Sequence, residues 1–586
     1  MKPRVLALDF DGTIADDGRI DADVVAAIQE ARHAGLLVVL VTGRVLRDLD
    51  ALLPSPAPFD AVVAENGAVL RLPTLPAPIP LCGPPDPHFL AELGRHRIRH
   101  QHGLCIVDAD AEVAPEIVDI IRTLGLPLAI TFNLSRLMVL PHGVNKASGL
   151  QEVFWRLRIS AHNAIAVGNA ENDHDMLAAC EIGAAVAWGS EELKRRADEV
   201  VPGRDPRAVA AYIRDILSLP RLPPTRLGRR RVRFGTSETG EPLDFAVRGR
   251  NILVGGDPKS GKSWMAGALC EQLILQRYSL CILDPEGDYS CLEVLPSVIV
   301  YPVDSKETSF LPLERTLTHP DLSLILDMSA APREDKPLLV RRLLTVVNRL
   351  RRQTGLPHRV VVDEAHYFLT RFDDPELFDH ELGGYLLVTY RISDLSPDVL
   401  RASEAVVVTR VADRRQALAL LTLAPGLAIP EGLALLADLA IDEAVLLPGA
   451  LESGASAMRF RVIPRLAPHV RHRRKYADVP VRPGHEFVFT LRGRPTGARA
   501  GAIRDLLSAI PELPEDVLQG HLRRGDFHRW IEDVFGDGDL GGAIRSLERT
   551  QVSDVREALR QVIADRYGPG AEPRGLTPPP LRQTSG

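Results

Sequence analysis

Two stretches of this 586-residue chain combine residue types that handle phosphate. The first is Asp9-Phe10-Asp11-Gly12-Thr13, at the end of the apolar run Val5-Leu6-Ala7-Leu8. Two carboxylates two residues apart at a strand end can reach one ligand, and their repulsion calls for a cation, most simply Mg²⁺. A carboxylate so tempered can attack phosphorus, while its neighbour handles the leaving group's proton. Taken alone, Asp-Gly is also a common turn. The second is Gly256-Asp257-Pro258-Lys259-Ser260-Gly261-Lys262-Ser263, after the strand-like Ile252–Gly255. This spacing makes a loop whose N–H groups, Gly256, Ser260 and Gly261 among them, cradle ATP phosphates. Lys262 faces the β/γ oxygens and Ser263 binds Mg²⁺. Further on, Val360–Val362 presents Asp363 for the Mg²⁺ shell and Glu364 to polarise the attacking water.

Further segments extend the first constellation. Val41-Thr42-Gly43-Arg44 ends another strand, Asn145-Lys146-Ala147-Ser148-Gly149-Leu150 opens a helix, and Gly168-Asn169-Ala170-Glu171-Asn172-Asp173 follows a third strand. In order and placement these resemble the haloacid dehalogenase-like hydrolases of the Cof type, over about residues 1–218. The resemblance implies Asp9 as nucleophile and metal ligand and Asp11 as general acid/base and metal ligand. It implies Thr42 and Lys146 on the phosphoryl oxygens, Asn169 and Asp173 at the metal, and a cap at about 81–141 behind Glu65-Asn66-Gly67-Ala68. The family pattern has Gly-Asp where this chain has Gly168-Asn169. The lost charge predicts weaker Mg²⁺ binding, and either slow turnover or a module that senses a phosphorylated ligand.

Around the second constellation, Leu283-Asp284-Pro285-Glu286-Gly287-Asp288-Tyr289, Asp363-Glu364-Ala365-His366-Tyr367-Phe368-Leu369 and Thr389-Tyr390-Arg391-Ile392-Ser393-Asp394-Leu395 resemble the HerA/FtsK-type ATPases over about 234–464. That class implies Thr389 as a sensor of the γ-phosphate, Arg391 or Arg410 acting in trans, a hexameric ring, and DNA as a partner. The hydrolase stands where the family's N-terminal barrel would be, and this departure counts against processive DNA pumping.

The elements that must position these groups are legible in outline. Strand-like runs at 36–41, 164–167, 252–254, 280–283 and 359–362 alternate with helical stripes such as Leu150, Val153, Phe154 and Leu157. The expected fold class is α/β. A Rossmann-like hydrolase domain with a small α+β cap is followed by a RecA-like P-loop domain and a small, mostly helical C-terminal domain at 483–567. Basic, proline-bearing stretches at 219–233 and 465–482 are expected linkers, and the Pro/Gly-rich end from 568 a disordered tail. In the C-terminal piece Phe527, Trp530, Ile531 and Val534 predict one apolar helix face, so packing rather than a site at Asp526 and His528.

Composition bounds the rest. The chain is 45% hydrophobic and 25% charged with net charge -7, and six scattered cysteines suggest neither disulfides nor zinc. No apolar run is long enough to span a membrane, and the start does not resemble a signal peptide, so a cytoplasmic enzyme is expected. The combined expectation is a Mg²⁺-dependent phosphohydrolase fused to a ring ATPase, using Mg²⁺ and ATP and acting on a phosphorylated small molecule or nucleic-acid end. The competing readings are a DNA motor with a degenerate hydrolase, and a metabolic phosphatase regulated by nucleotide.

Overall fold

The structure is a computed structural model, described for residues 2–567 except 55, 134, 220, 222–229, 247, 304–310, 371–376, 425, 448–456, 468–485, 536–537 and 550–553. The chain forms two compact units, one of residues 1–285 and 289–469, the other of 286–288 and 470–586.

The larger unit contains two α/β sheets. In the eight-stranded sheet the strand Val5–Asp9 lies between Ala164–Gly168 and Leu37–Val41, all parallel. Its residues are buried on both faces, which is why Val-Leu-Ala-Leu reads as a continuous apolar run. A four-stranded antiparallel sheet of His100–His102, Val107–Asp110, Leu128–Asn133 and Arg136–Pro141 carries the cap. The N–H groups of Leu104 and Cys105 go to the carboxylate of Glu65, at 3.0 and 2.9 Å. The cap strand that begins at Val107 follows directly on this contact with the sheet below.

The eleven-stranded sheet places Ile252–Gly255 at its centre, between Tyr385–Thr389 and Ala405–Val408. Arg359–Val362, Leu280–Asp284, Ser323–Asp327 and Val298–Pro302 continue it in parallel. Both stretches read as linkers contribute to this domain. Arg231–Thr236 is a strand with Val232 and Phe234 in the core. Arg465 is buried against Glu271 at 2.8 Å, and Ala467 is buried beside it. At Arg231 and Arg465 the charge misled because Asp244 and Glu271 neutralise it. His472–Lys475 and the tail from 568 lie outside the described residues.

The two sheets meet at the N-terminal ends of their strands. His162, just before Ala164–Gly168, stacks on Tyr278, just before Leu280–Asp284, with ring centroids 3.8 Å apart. Glu181 accepts from Tyr278 Oη at 3.2 Å and lies 2.8 Å from His162 Nδ1. Arg230 donates to the carbonyls of Ala178, Ala179 and Cys180, satisfying groups left over at the end of helix His174–Ala179. On the other flank Asn163 Oδ1 lies 3.1 Å from His358 Nε2. One continuous apolar cluster, with Leu6, Ile213, Phe234 and Ile282 among its members, runs through both sheets.

In the smaller unit a hairpin of Phe487–Leu491 and Arg494–Ala500 joins five described helical segments. Phe487 stacks on Phe527, and Trp530 and Ile531 complete that core. Asp526 pairs with His521, and His528 with Glu548. The expected single helix over 526–535 changes to a π-turn at Ile531–Phe535.

Candidate functional site

At the first site the strand Val5–Asp9 delivers Asp9 to a buried position. Lys146 Nζ sits 2.6 Å from Asp9 Oδ1 and 2.6 Å from Asp173 Oδ1, and Thr13 Oγ1 donates to Asp9 Oδ2 at 2.9 Å. Burial, then Asp173, pushes the Asp9 carboxyl up to about 7 against the pull of Lys146. Burial disfavours charge on Lys146, but the two carboxylates outweigh it and its pKa is raised. Lys146 reaches this position because Asn145 caps its helix, accepting from Ser148 N at 2.8 Å.

Asp11 turns the other way and is gripped bidentately by Arg44, at 2.7 and 2.6 Å. Thr42 is buried at the next strand end, where its hydroxyl accepts from Arg44 N at 3.2 Å. Asp173 spends Oδ2 on the N–H groups of Asn169 and Ala170, at 2.9 and 3.0 Å, so it shapes the loop that carries Asn169. Gly12 has a φ of 72°, and a Cβ there would lie 2.2 Å from Asn169 Nδ2. Asn169 therefore lies directly against the Asp9–Asp11 turn.

That donor set suits a hard dication at reduced charge. Asp9 and Asp11 stand two residues apart on one turn, and the Asn169 side chain meets that turn from the neighbouring loop. No group of three His, Cys, Asp or Glu side chains fit for a metal occurs among the described residues. Two features here were not foreseen. Asn66, with a φ of 53°, is buried and its Oδ1 has no hydrogen-bond partner among the described residues. Asn172 likewise has both side-chain polar atoms buried without one. Side chains that are buried yet unsatisfied beside a phosphate-type site are candidate ligand contacts.

At the second site the strand Ile252–Gly255 leads into the loop and helix Lys262–Leu275. Gly261 has a φ of 99°, which suits glycine. Gly256 has no room for a side chain, since a Cβ would lie 1.9 Å from Thr409 Oγ1. Thr409, not anticipated from the sequence, is 2.6 Å from Ser260 Oγ and holds the loop to the strand Ala405–Val408. Lys262 Nζ donates to the Asp257 carbonyl at 2.8 Å. Ser263 follows it in the first turn of the helix.

Asp363 and Glu364 follow the strand Arg359–Val362, both buried, with Glu364 left-handed at φ 47°. Thr389 is buried at the end of the neighbouring strand, 3.1 Å from His366 Nδ1. Burial pulls the His366 imidazole down to about 4, so the ring is neutral near pH 7. Arg391 and Arg410 are exposed. The fold thus gathers Gly256, Ser260, Gly261, Lys262, Asp363, Glu364 and Thr389 at one sheet edge, the usual ligand position in such sheets.

Comparison with known proteins separates the two halves. Residues 6–74 and 107–213 match the family model described as haloacid dehalogenase-like hydrolase. Residues 254–355 match that described as Helicase HerA, central domain. A phosphoglycolate phosphatase of Archaeoglobus fulgidus is 28% identical over 217 residues, covering 36% of this chain and 94% of that protein. Its counterpart in Methanothermobacter thermautotrophicus is 26% identical over 226 residues, covering 36% and 97%. A solved Thermoplasma acidophilum structure aligns over 37% of this chain and 99% of its own at 18% identity, with a TM-score of 0.33.

Proposed function

Since the N-terminal part of this chain is a haloacid dehalogenase-like hydrolase domain and a HerA central domain follows it, we propose that it couples a small-molecule phosphatase to an ATPase through a shared scaffold. The phosphatase half carries Asp9 as nucleophile, and the supporting observation is its buried position against Lys146, Thr13 and the Asn169 loop.

In this mechanism Asp9 Oδ attacks phosphorus, an aspartyl-phosphate forms, and the alcohol leaves with a proton from Asp11. Water then attacks the acyl-phosphate, Asp11 takes its proton, and Asp9 is released with inorganic phosphate. Arg44 orients Asp11 before substrate arrives, while Thr42 and Lys146 supply donors to the phosphoryl oxygens. Lys146 already tempers Asp9 and Asp173. Mg²⁺ held by Asp9, Asp11 and Asn169 would neutralise charge on the transferring group. The relatives named phosphoglycolate phosphatase motivate a small anionic phosphate ester as substrate.

In the second half Lys262 and the loop amides bind ATP phosphates, Ser263 and Asp363 are placed for Mg²⁺, and Glu364 orients water. Ring assembly and DNA binding belong to this reading as what the HerA match motivates. The deciding experiment is a phosphate-ester panel, including phosphoglycolate, run beside ATP turnover in the wild type, Asp9→Asn and Lys262→Ala. Loss of ester hydrolysis in Asp9→Asn alone and of ATP turnover in Lys262→Ala alone is expected. Ester hydrolysis that persists in Asp9→Asn would refute the phosphatase assignment.

A further inference from the structure

His366 lies two residues beyond the water-orienting candidate Glu364 and is only 3% exposed. Its Nδ1 faces two groups at once, Thr389 Oγ1 at 3.1 Å and Glu364 Oε2 at 3.5 Å. The ring is held by Tyr367 and Tyr390, at centroid distances of 4.1 and 4.5 Å. Tyr390 in turn lies under Lys262, whose Nζ is 5.9 Å from its ring centroid. His366 Nε2 is buried without a hydrogen-bond partner among the described residues.

A histidine that only filled space would be costly here, because an unsatisfied buried polar atom costs about 1–3 kcal/mol and a phenyl ring would avoid it. The bonds around Thr389 suggest what the imidazole gains. Thr389 Oγ1 already accepts from Arg391 N at 3.1 Å. If the neutral ring carries its proton on Nδ1, Thr389 accepts a second hydrogen bond from His366. Both lone pairs of the hydroxyl are then engaged, and its own proton must point in the remaining direction. The same N–H also faces the Glu364 carboxylate.

Resting on the ATPase reading above, we infer that His366 is a positioning residue for ATP hydrolysis. Its Nδ1–H holds the Thr389 hydroxyl, aiming that group's proton at a γ-phosphate oxygen, and lies beside the Glu364 carboxylate, biasing the group that orients water. His366 makes no contact with the nucleotide in this arrangement. It acts on the chemical step and leaves ground-state binding alone.

The test uses the full chain with three substitutions. His366→Asn keeps a donor near the Nδ1 position, His366→Gln moves its polar atoms out toward Nε2, and His366→Phe removes both. Expected for His366→Phe and His366→Gln is a kcat for ATP lowered roughly 10–100-fold, as for groups that orient catalytic ligands. KM and nucleotide affinity should stay within about twofold, the sign of an interaction made in the transition state. His366→Asn should recover most of kcat. Ester hydrolysis by the same preparations reports folding. A His366→Phe chain as active as wild type overturns the inference, as does one that loses kcat and ATP binding together. A His366→Asn chain no better than His366→Phe overturns it as well. A wild type with no ATP turnover overturns the ATPase reading itself, and the inference with it.

Discussion

His162 Nε2 lies 2.8 Å from the main-chain carbonyl of Gln276, the residue that ends the P-loop helix. A side chain of the hydrolase domain therefore closes the far end of the helix whose other end carries the proposed ATP-binding loop. Glu181 backs that histidine from a fully buried site and also faces Arg230 and Arg248. Replacing Glu181 with alanine leaves buried positive partners without a counter-charge. We expect it to cost on the order of 3–5 kcal/mol, read as a lower denaturant midpoint and easier proteolysis between residues 218 and 231.

The same carboxylate sets an acid limit. Burial pushes its pKa up, but His162, Arg230 and Arg248 pull harder, so the folded value lies below the ordinary 4.5. A depressed carboxylate contributes its stability fully above the unfolded value and loses it as pH falls through the folded one. Thermal melts should show wild type losing its advantage over Glu181→Gln only as pH drops below about 4.5.

At the phosphatase centre, Asp11→Asn should lower kcat by roughly 10²–10⁴-fold, the range for removing a general acid/base. Steady-state ester hydrolysis measures this, and ATP turnover should not change.

Placing a carboxylate at the proposed metal position is the informative gain-of-function. Asn169→Asp is nearly isosteric against Gly12, so the turn can accept it. Ligand charge tunes divalent affinity, and about a tenfold lower Mg²⁺ concentration for half-maximal ester hydrolysis is expected. Activation curves after chelator treatment read it directly, and an unchanged curve would remove Asn169 from the metal set.

Gly67 is a further point of strain. Its φ is 103°, and a Cβ would fall 1.8 Å from the Asn145 carbonyl oxygen, next to Lys146. Gly67→Ala should destabilise by at least about 1–3 kcal/mol and depress ester hydrolysis more than ATP turnover, as Lys146 is displaced.

What could be read from the sequence and what could not follow one physical divide. Asp9, Lys262 and Asp363 sit on a strand, its turn or the helix after it, so spacing alone places them. The α/β class follows from the same local patterns, and the cap was expected from the family resemblance. Thr409 and Ser260 are 149 positions apart, and His162 and Gln276 are 114 apart. Partners of that kind exist only once strands are ordered in a sheet. Arg231 and Arg465 failed in the opposite direction. Their charges looked solvated, yet one lies in a strand and the other is buried on Glu271. Asn169 was legible as a departure, and the structure adds that it presses on Gly12.

The meeting of the two sheets at the N-terminal ends of their strands sets the traffic between the sites. Each site lies at the opposite, C-terminal end of its own sheet. The 14-residue P-loop helix at about 1.5 Å per residue and the five-residue strand before Asn169 at about 3.3 Å put on the order of 35 Å of packed protein between the reactions. With the two proposed sites at opposite ends, a phosphate released at one is expected to reach the other through bulk solvent. Trapping enzymes added outside are therefore expected to intercept a shared metabolite, which would leave the scaffold itself as the link between the halves.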